Sequence, residues 1–392
     1  MHKNRIAVNI VFFLNGFLYG NWSSRIPRIK ELYGVSDQVF GFVLLTMALG
    51  AVAAMPFTGY AIMRNGTRRI GLLSIILYCA FVPLIPFMPN WIVLMVLYLI
   101  IGIVTGMLDV SMNAQGVMVE KQIGRPIMTS FHAFFSIGMA LGGWCGSFFA
   151  GTSLTLYHHF AIIGGISFIM TLWVQANLIN DNYVSNSKPE GPLFRLPDKA
   201  LLSIGIITFC CMMGEGSMAN WSVQYMEAVA MSSKTLAPIA ITAFAGSMTL
   251  GRIFGDWARA AIGDRMIIVA GGFLAASGLT IALVFPLPGI VIAGCFLVGL
   301  GLSTIVPVAY SIAGNTHGIP SGVGIAMVTT VGYSGFLLGP PIIGFIAEWK
   351  NLRFGLSIVA VLLVLMVVLG LMMRRRTNAL EKEKGAVEGQ PS

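Results

Sequence analysis

Charge is what this chain most lacks. Only 10% of its 392 residues are Asp, Glu, Lys or Arg, where a water-soluble domain carries about 25%. Hydrophobic residues make up 56% and mean hydropathy is +0.84, which excludes a soluble fold. Short alternating strands are also missing. Apolar runs of about 17–25 residues recur instead, which excludes a strand barrel and predicts an all-α membrane protein. Cysteine is sparse: Cys79, Cys145, Cys210, Cys211 and Cys295 fall singly or in one pair inside apolar runs. They have neither metal-ligand spacing nor the pattern of a disulfide framework, and read as small core residues. There is no Gly-x-Ser-x-Gly elbow, His-Glu-x-x-His pair, phosphate-cradling loop or long polar domain, so no enzyme, metal site or bound cofactor is expected.

Twelve membrane spans are expected, at about 6–27, 38–62, 70–88, 91–119, 127–150, 157–178, 200–228, 236–258, 266–286, 289–314, 321–346 and 353–373. The N-terminal Met-His-Lys-Asn-Arg and its apolar run lack a small-residue cleavage site, and read as a retained first span. The one long polar connection, 180–198, divides an N-terminal bundle (1–179) from a C-terminal bundle (199–374). Residues 375–392 read as a solvated tail. With both termini cytoplasmic, 18 of the 24 Lys and Arg fall in cytoplasmic segments, so the net charge of +9 records membrane orientation and not a nucleic-acid surface.

The two bundles repeat. Asn21-Trp22-Ser23 recurs as Asn220-Trp221-Ser222, a shift of 199; Gly50 and Gly59 recur as Gly246 and Gly255, a shift of 196; Gly138 and Gly142 recur as Gly335 and Gly339, a shift of 197. A near-constant shift in three separate spans indicates a duplicated six-span unit, with a binding site expected at the repeat interface near the bilayer midplane.

Polar residues inside the spans are the candidate site. In the fourth span Asp109, Asn113, Gly116 and Glu120 share one helical face, continued by Gly102 and Gly106. An ionisable side chain at that depth is costly and is kept where it lines a wet path or finds a partner. Asp109 is therefore the leading proton-coupling residue, with Asn113 beside it. Glu215 stands in the seventh span between two glycines, a second candidate for proton or substrate contact. His132 in the fifth span is a possible relay or a structural hydrogen-bond partner. Glu120, followed by Lys121, belongs to the cytoplasmic rim as a gate or loop ion pair. Arg25 lies against the charge bias, either closing an outer gate or attracting an anion, or anchoring to headgroups. The pairs Asn21/Trp22 and Asn220/Trp221 suit a cavity wall, or an interfacial aromatic belt.

Twelve spans, a central linker and a six-plus-six repeat resemble the major facilitator superfamily over essentially the whole chain. Gly59, Arg64, Gly66, Arg68 and Arg69 match its loop motif between spans two and three, although Met63 stands where an Asp is usual. Asp109-Val-Ser-Met-Asn113 is similar to the Glu-x-x-x-Asn of span four in fucose:proton symporters, and His132-Ala-Phe-Phe-Ser136-Ile-Gly138 to a span-five motif of their relatives. Their span-one Asp is Ser23 here. The resemblance implies two pseudo-symmetric six-helix bundles and proton-coupled movement of a small polar solute, sugar-like above others. It also implies cytoplasmic gate residues at Arg64, Arg68, Glu120, Arg252 and Asp256. Gly335-Phe-Leu-Leu-Gly339-Pro340 partly matches an antiporter motif, which keeps proton-driven efflux of drugs or metabolites as the alternative, ahead of a non-transporting membrane sensor. The expected partners are the solute and the bilayer of a bacterial inner membrane, with the chain working as a monomer on the proton gradient.

Overall fold

The computed structural model describes residues 2–123, 127–180, 199–314, 316 and 321–373. All but one residue of the expected linker, and all of the expected tail, lie outside the described residues. Among those described, the chain forms thirteen α-helices and no strand: α1 (His2–Ser24), α2 (Ile26–Tyr33), α3 (Asp37–Asn65), α4 (Thr67–Phe81), α5 (Trp91–Ile123), α6 (Met128–Ala150), α7 (Leu156–Gln175), α8 (Lys199–Ala228), α9 (Ile239–Val284), α10 (Pro288–Leu302), α11 (Ile305–Gly314), α12 (Ser321–Trp349) and α13 (Leu352–Met372). Among the described residues, ten helical stretches are long and apolar enough to cross a membrane. The shorter Ile239–Gly255, together with α1, whose Asn4, Asn9, Asn15 and Asn21 dilute its hydropathy, completes the twelve spans. Phe148, Ile169, Phe273 and Val361 are exposed on the outside, as a lipid-facing surface requires. Below, the side bearing the start of α1 and the end of α13 is the near side, and the other is the far side.

Three breaks depart from simple spans, and each has a local cause. α1 stops at Ser24 and a short far-side helix, α2, begins at Ile26. Pro27 has no N–H to donate to the Ser23 carbonyl, and its ring crowds that carbonyl, so the chain breaks at Arg25 and restarts with the proline in the first turn of α2. The tenth span is split into α10 and α11 around Ser303 and Thr304. The ring of Pro307 crowds the Ser303 carbonyl four residues back and leaves it without a helical N–H partner, which favours the break there. Spans eight and nine form one long element, α9, turned at Gly263 with φ 78° and ψ 163°, a conformation that side chains with a Cβ rarely adopt. Gly66, between α3 and α4, has φ 79° and ψ 155°, and precedes Gly263 by 197 residues.

That shift recurs in the packing. A Cβ on Gly102 would lie 2.0 Å from the Met47 carbonyl oxygen, and one on Gly299 would lie 2.1 Å from that of Phe244. A Cβ on Gly138 would meet the Phe13 oxygen at 2.1 Å, and one on Gly335 the Phe209 oxygen at 2.5 Å. Glycines thus let α5 close on α3 and α6 on α1 in the first half, and α10 on α9 and α12 on α8 in the second. In lipid, where apolar burial does not drive helices together, such close backbone approach supplies much of the cohesion.

Candidate functional site

The halves meet along two helix pairs, α3 with α12 and α6 with α9. At the far side the seam is tight. Gly41 lies against the Pro340 carbonyl, Gly344 against that of Asp37, and Gly143 against Ile241 and Thr242. Polar contacts cross the seam at the same level. The Ser23 hydroxyl donates to the Ala219 carbonyl, and Ser147 donates to the Thr235 carbonyl at 2.5 Å. Arg28 on α2 pairs with Glu227 on α8 as well as with Glu31, and Asp37 accepts from both Lys30 and Gln224. These contacts close the far end of a central cavity.

The cavity measures about 260 Å³ and takes its walls from both halves. Asn15, Tyr19 and Trp22 come from α1; Met47 and Met55 from α3; Thr105 and Asp109 from α5; Phe135 and Met139 from α6. The second half adds Glu215, Ala219 and Asn220 from α8, Phe244, Met248 and Arg252 from α9, and Tyr333 and Phe336 from α12. Two carboxylates and one guanidinium therefore face a mostly apolar and aromatic space that also holds the amides of Asn15 and Asn220 and the Thr105 hydroxyl.

Asp109 is held on both sides. The Asn113 amide, one turn on, donates to Oδ1 at 3.2 Å and to the Asp109 carbonyl at 2.8 Å. The Tyr333 hydroxyl, from the other half, donates to Oδ2 at 3.5 Å. Glu215 accepts a weak bond from the Cys211 thiol at 3.7 Å. Arg252 reaches across the seam, donating through Nη1 to the His132 carbonyl at 3.2 Å and to the Ser136 hydroxyl.

The polar stripe of α5 divides its work along its length. Gly102 and Gly106 pack on α3, Asp109 opens on the cavity, and Gly116 receives Met128 and Phe131 of α6. Glu120 accepts the backbone N–H groups of Ile127 at 2.8 Å and Met128 at 3.0 Å. It holds the start of α6, because those N–H groups have no partner within their own helix; the Lys121 side chain and Arg125, with which an ion pair was expected, lie outside the described residues.

Other expected residues are displaced from their assigned places. Arg252 lies on the cavity wall, not in a near-side gate, because its long side chain turns along the seam to Ser136. Asn21 is fully buried away from the cavity, bonded to the His159 ring at 2.9 Å and the Phe17 carbonyl at 2.8 Å. Trp221 is fully buried behind the wall. The 199-residue shift that pairs these motifs is two or three residues out of the 196–197 register of the packing contacts. On a helix that offset turns a side chain to another face. Trp22 does face the cavity while donating to the Tyr98 hydroxyl at 2.8 Å, and Asn220 lines it too. Asn113 stands behind Asp109, off the wall.

Arg25, only 6% exposed, is packed in protein and not among headgroups. His132 packs its ring edge-on to Phe12 at 5.1 Å, off the cavity wall. Arg64 lies at the near end of α3, and Arg68 on α4 donates to the Gln175 carbonyl at 2.7 Å, a contact inside the first half. The side chain of Asp256 lies outside the described residues. Asn15, Tyr19, Thr105 and Tyr333 were not singled out from sequence. Asn15, an amide within an apolar run, was the detectable one; tyrosines in spans give no such signal.

Comparison with known proteins agrees with this architecture. The family model described as Major Facilitator Superfamily matches residues 8–313 and again 204–392. The chain is 33% identical to an uncharacterized MFS-type transporter of Yersinia pestis, over 92% of this chain and 94% of the relative. It is 35% identical to the membrane protein MosC of Rhizobium meliloti, over 91% and 86%. Among solved structures, that of a mutant of the nucleoside transporter NupG superposes with a TM-score of 0.72 over 93% of this chain and 98% of that one, at 14% identity, a likeness of fold alone. A duplicated six-helix unit around one central cavity, with a family model matching both halves, makes this chain a membrane transporter belonging to the Major Facilitator Superfamily.

Proposed function

We propose that the protein is a proton-coupled secondary transporter that carries a small polar solute, sugar-like in size and hydroxyl content, by alternating access. The observation that carries this reading is the placement of Asp109, Glu215 and Arg252 on one cavity wall between the halves, with the far side closed. A carboxylate at that depth is stabilised by protonation or by a partner, so its proton state biases which facing of the halves is favoured. Asp109 is the leading proton site and Glu215 the second. His132 acts only indirectly, through the carbonyl that holds Arg252. Trp22, Asn15, Asn220 and Tyr19 offer an aromatic face and hydrogen-bonding groups to the solute.

The near side is the cytoplasm in this reading, since 18 of 24 basic residues belong there. The cell membrane of a bacterium is the location, and the closed far side makes this an inward-facing state. The proton gradient replaces any cofactor, and one chain contains the whole site.

A second reading has its own observation. Met47, Met55, Met139 and Met248 line the cavity, and flexible thioethers suit varied apolar cargo. That favours proton-antiport efflux of amphiphilic compounds. Purified protein in vesicles separates the two: counterflow and external alkalinisation are measured with sugars and nucleosides, then with cationic drugs. Sugar-dependent alkalinisation supports symport; drug-dependent proton movement in the opposite sense supports efflux. Movement of neither solute nor protons would refute both.

A further inference from the structure

We infer that the cargo carries one negative charge, which Arg252 receives, and that each anion crosses with one proton in an electroneutral cycle. This rests on the transport reading above, with Asp109 and Glu215 as its proton-accepting groups.

Arg252 is anchored by one nitrogen only. Nη1 donates to the His132 carbonyl and the Ser136 hydroxyl. Among the described residues Nε and Nη2 have no protein partner, and neither is sealed from the cavity. The free edge of a guanidinium matches a carboxylate with two parallel N–H···O bonds, a fit a neutral hydroxyl cannot reproduce. Neither cavity carboxylate comes within ion-pair distance of Arg252: Asp109 is engaged by Tyr333 and Asn113, and Glu215 faces the Cys211 thiol. A cation at that depth with no carboxylate in contact is costly, and an anionic cargo on its open edge lowers that cost.

The proton count follows from the charges facing the space. α5 contributes Asp109, α8 contributes Glu215 with Cys211 beside it, and α9 contributes Arg252. The phenols Tyr19 of α1, Tyr310 of α11 and Tyr333 of α12 are uncharged, the α3 wall holds no ionisable group, and the His132 imidazole of α6 lies against Phe12. Net charge in an apolar, protein-lined space disfavours movement of the halves. The empty cavity is neutral when one carboxyl is protonated. With a monoanion on Arg252 it is neutral when both are. One proton therefore travels with each anion.

The test uses purified full-length protein with acids and their uncharged counterparts: galacturonate with galactose, gluconate with glucitol, and nicotinate with nicotinamide. At least one acid is expected to raise the unfolding temperature and to enter proteoliposomes down an imposed pH gradient, at least about tenfold better than its counterpart. Its uptake should not change when potassium and valinomycin clamp the potential at zero or inside-negative. Arg252→Gln should lose the response about tenfold or more, while Arg252→Lys keeps part of it, both variants being first shown to be monodisperse and cooperatively folded. Equal or better response to the uncharged members, potential-driven uptake, an unaffected Arg252→Gln or a silent panel would each overturn the inference. Proton-coupled uptake of uncharged solutes alone would remove it and leave the transport reading standing.

Discussion

Gly102 rests on the carbonyl of Met47 in the first half and Gly299 on that of Phe244 in the second; Gly138 meets Phe13 as Gly335 meets Phe209. Each pair is displaced by 196 or 197 residues, as are the left-handed turns at Gly66 and Gly263. Against this common frame the chemistry differs. In α5 the first half has an unbroken helix bearing Asp109, whereas the equivalent position of the second half is Val306, one residue before the Pro307 that splits α10 from α11. The second half supplies its ionisable groups from α8 and α9 instead, as Glu215 and Arg252. Backbone contacts between helices tolerate little change, so duplication preserves them; side chains on a solvent-accessible wall are free to diverge. The two halves therefore share a scaffold and differ in the ionisable groups they bring to the cavity.

Three sets of substitutions sharpen or break that comparison. Adding a methyl group at Gly102 or Gly138 should lower stability by about 1–3 kcal/mol by forcing helices apart, and Gly299→Ala and Gly335→Ala should match them. Gly246→Ala, where nothing lies within 4 Å, should have almost no effect. Thermal unfolding in one detergent measures all five, and losses confined to one half would break the shared-scaffold argument. Next in size, Glu120→Ala should cost about 1 kcal/mol, the usual loss of a helix cap, while leaving substrate affinity intact; a changed affinity would return Glu120 to a gating role. Smallest is the seam pair Arg28 and Glu227, half-buried at the far side. A double-mutant cycle with Ala should give a coupling of about 0.5–1 kcal/mol, with greater labelling of far-side cysteine probes in both single variants. No increase in labelling would mean that the pair does not help close that side.

Much of the frame was legible in the sequence because apolar run length and glycine spacing report directly on membrane thickness and backbone approach. The repeat found through Gly138 and Gly335 is the one the packing uses. The repeat found through Asn21 and Asn220 is not, since its 199-residue shift breaks helical register and sends Asn21 to His159. Gly50 and Gly246 show a second limit: Gly50 is pressed against the Leu99 carbonyl while Gly246 has open space, so equal residues do not ensure equal contacts. Asp109 and Glu215 were detectable as lone acids in apolar runs. Arg252 was visible too, but its rank near the end of a span suggested a gate; the reach and direction of its side chain, which place it on the cavity, are tertiary facts. Tyr333 gave no signal, because its importance comes from facing Asp109 across a seam more than two hundred residues away in sequence.

The most direct test of the central claim, that the carboxylate of Asp109 couples protons to cargo movement, is transport by Asp109→Asn in proteoliposomes. Exchange of cargo at equal concentration on both sides should persist, because the cavity and its shape are kept. Accumulation driven by a pH gradient should disappear, while Val306→Ala at the equivalent site of the other half should accumulate as the parent does. Undiminished gradient-driven accumulation by Asp109→Asn would contradict the account.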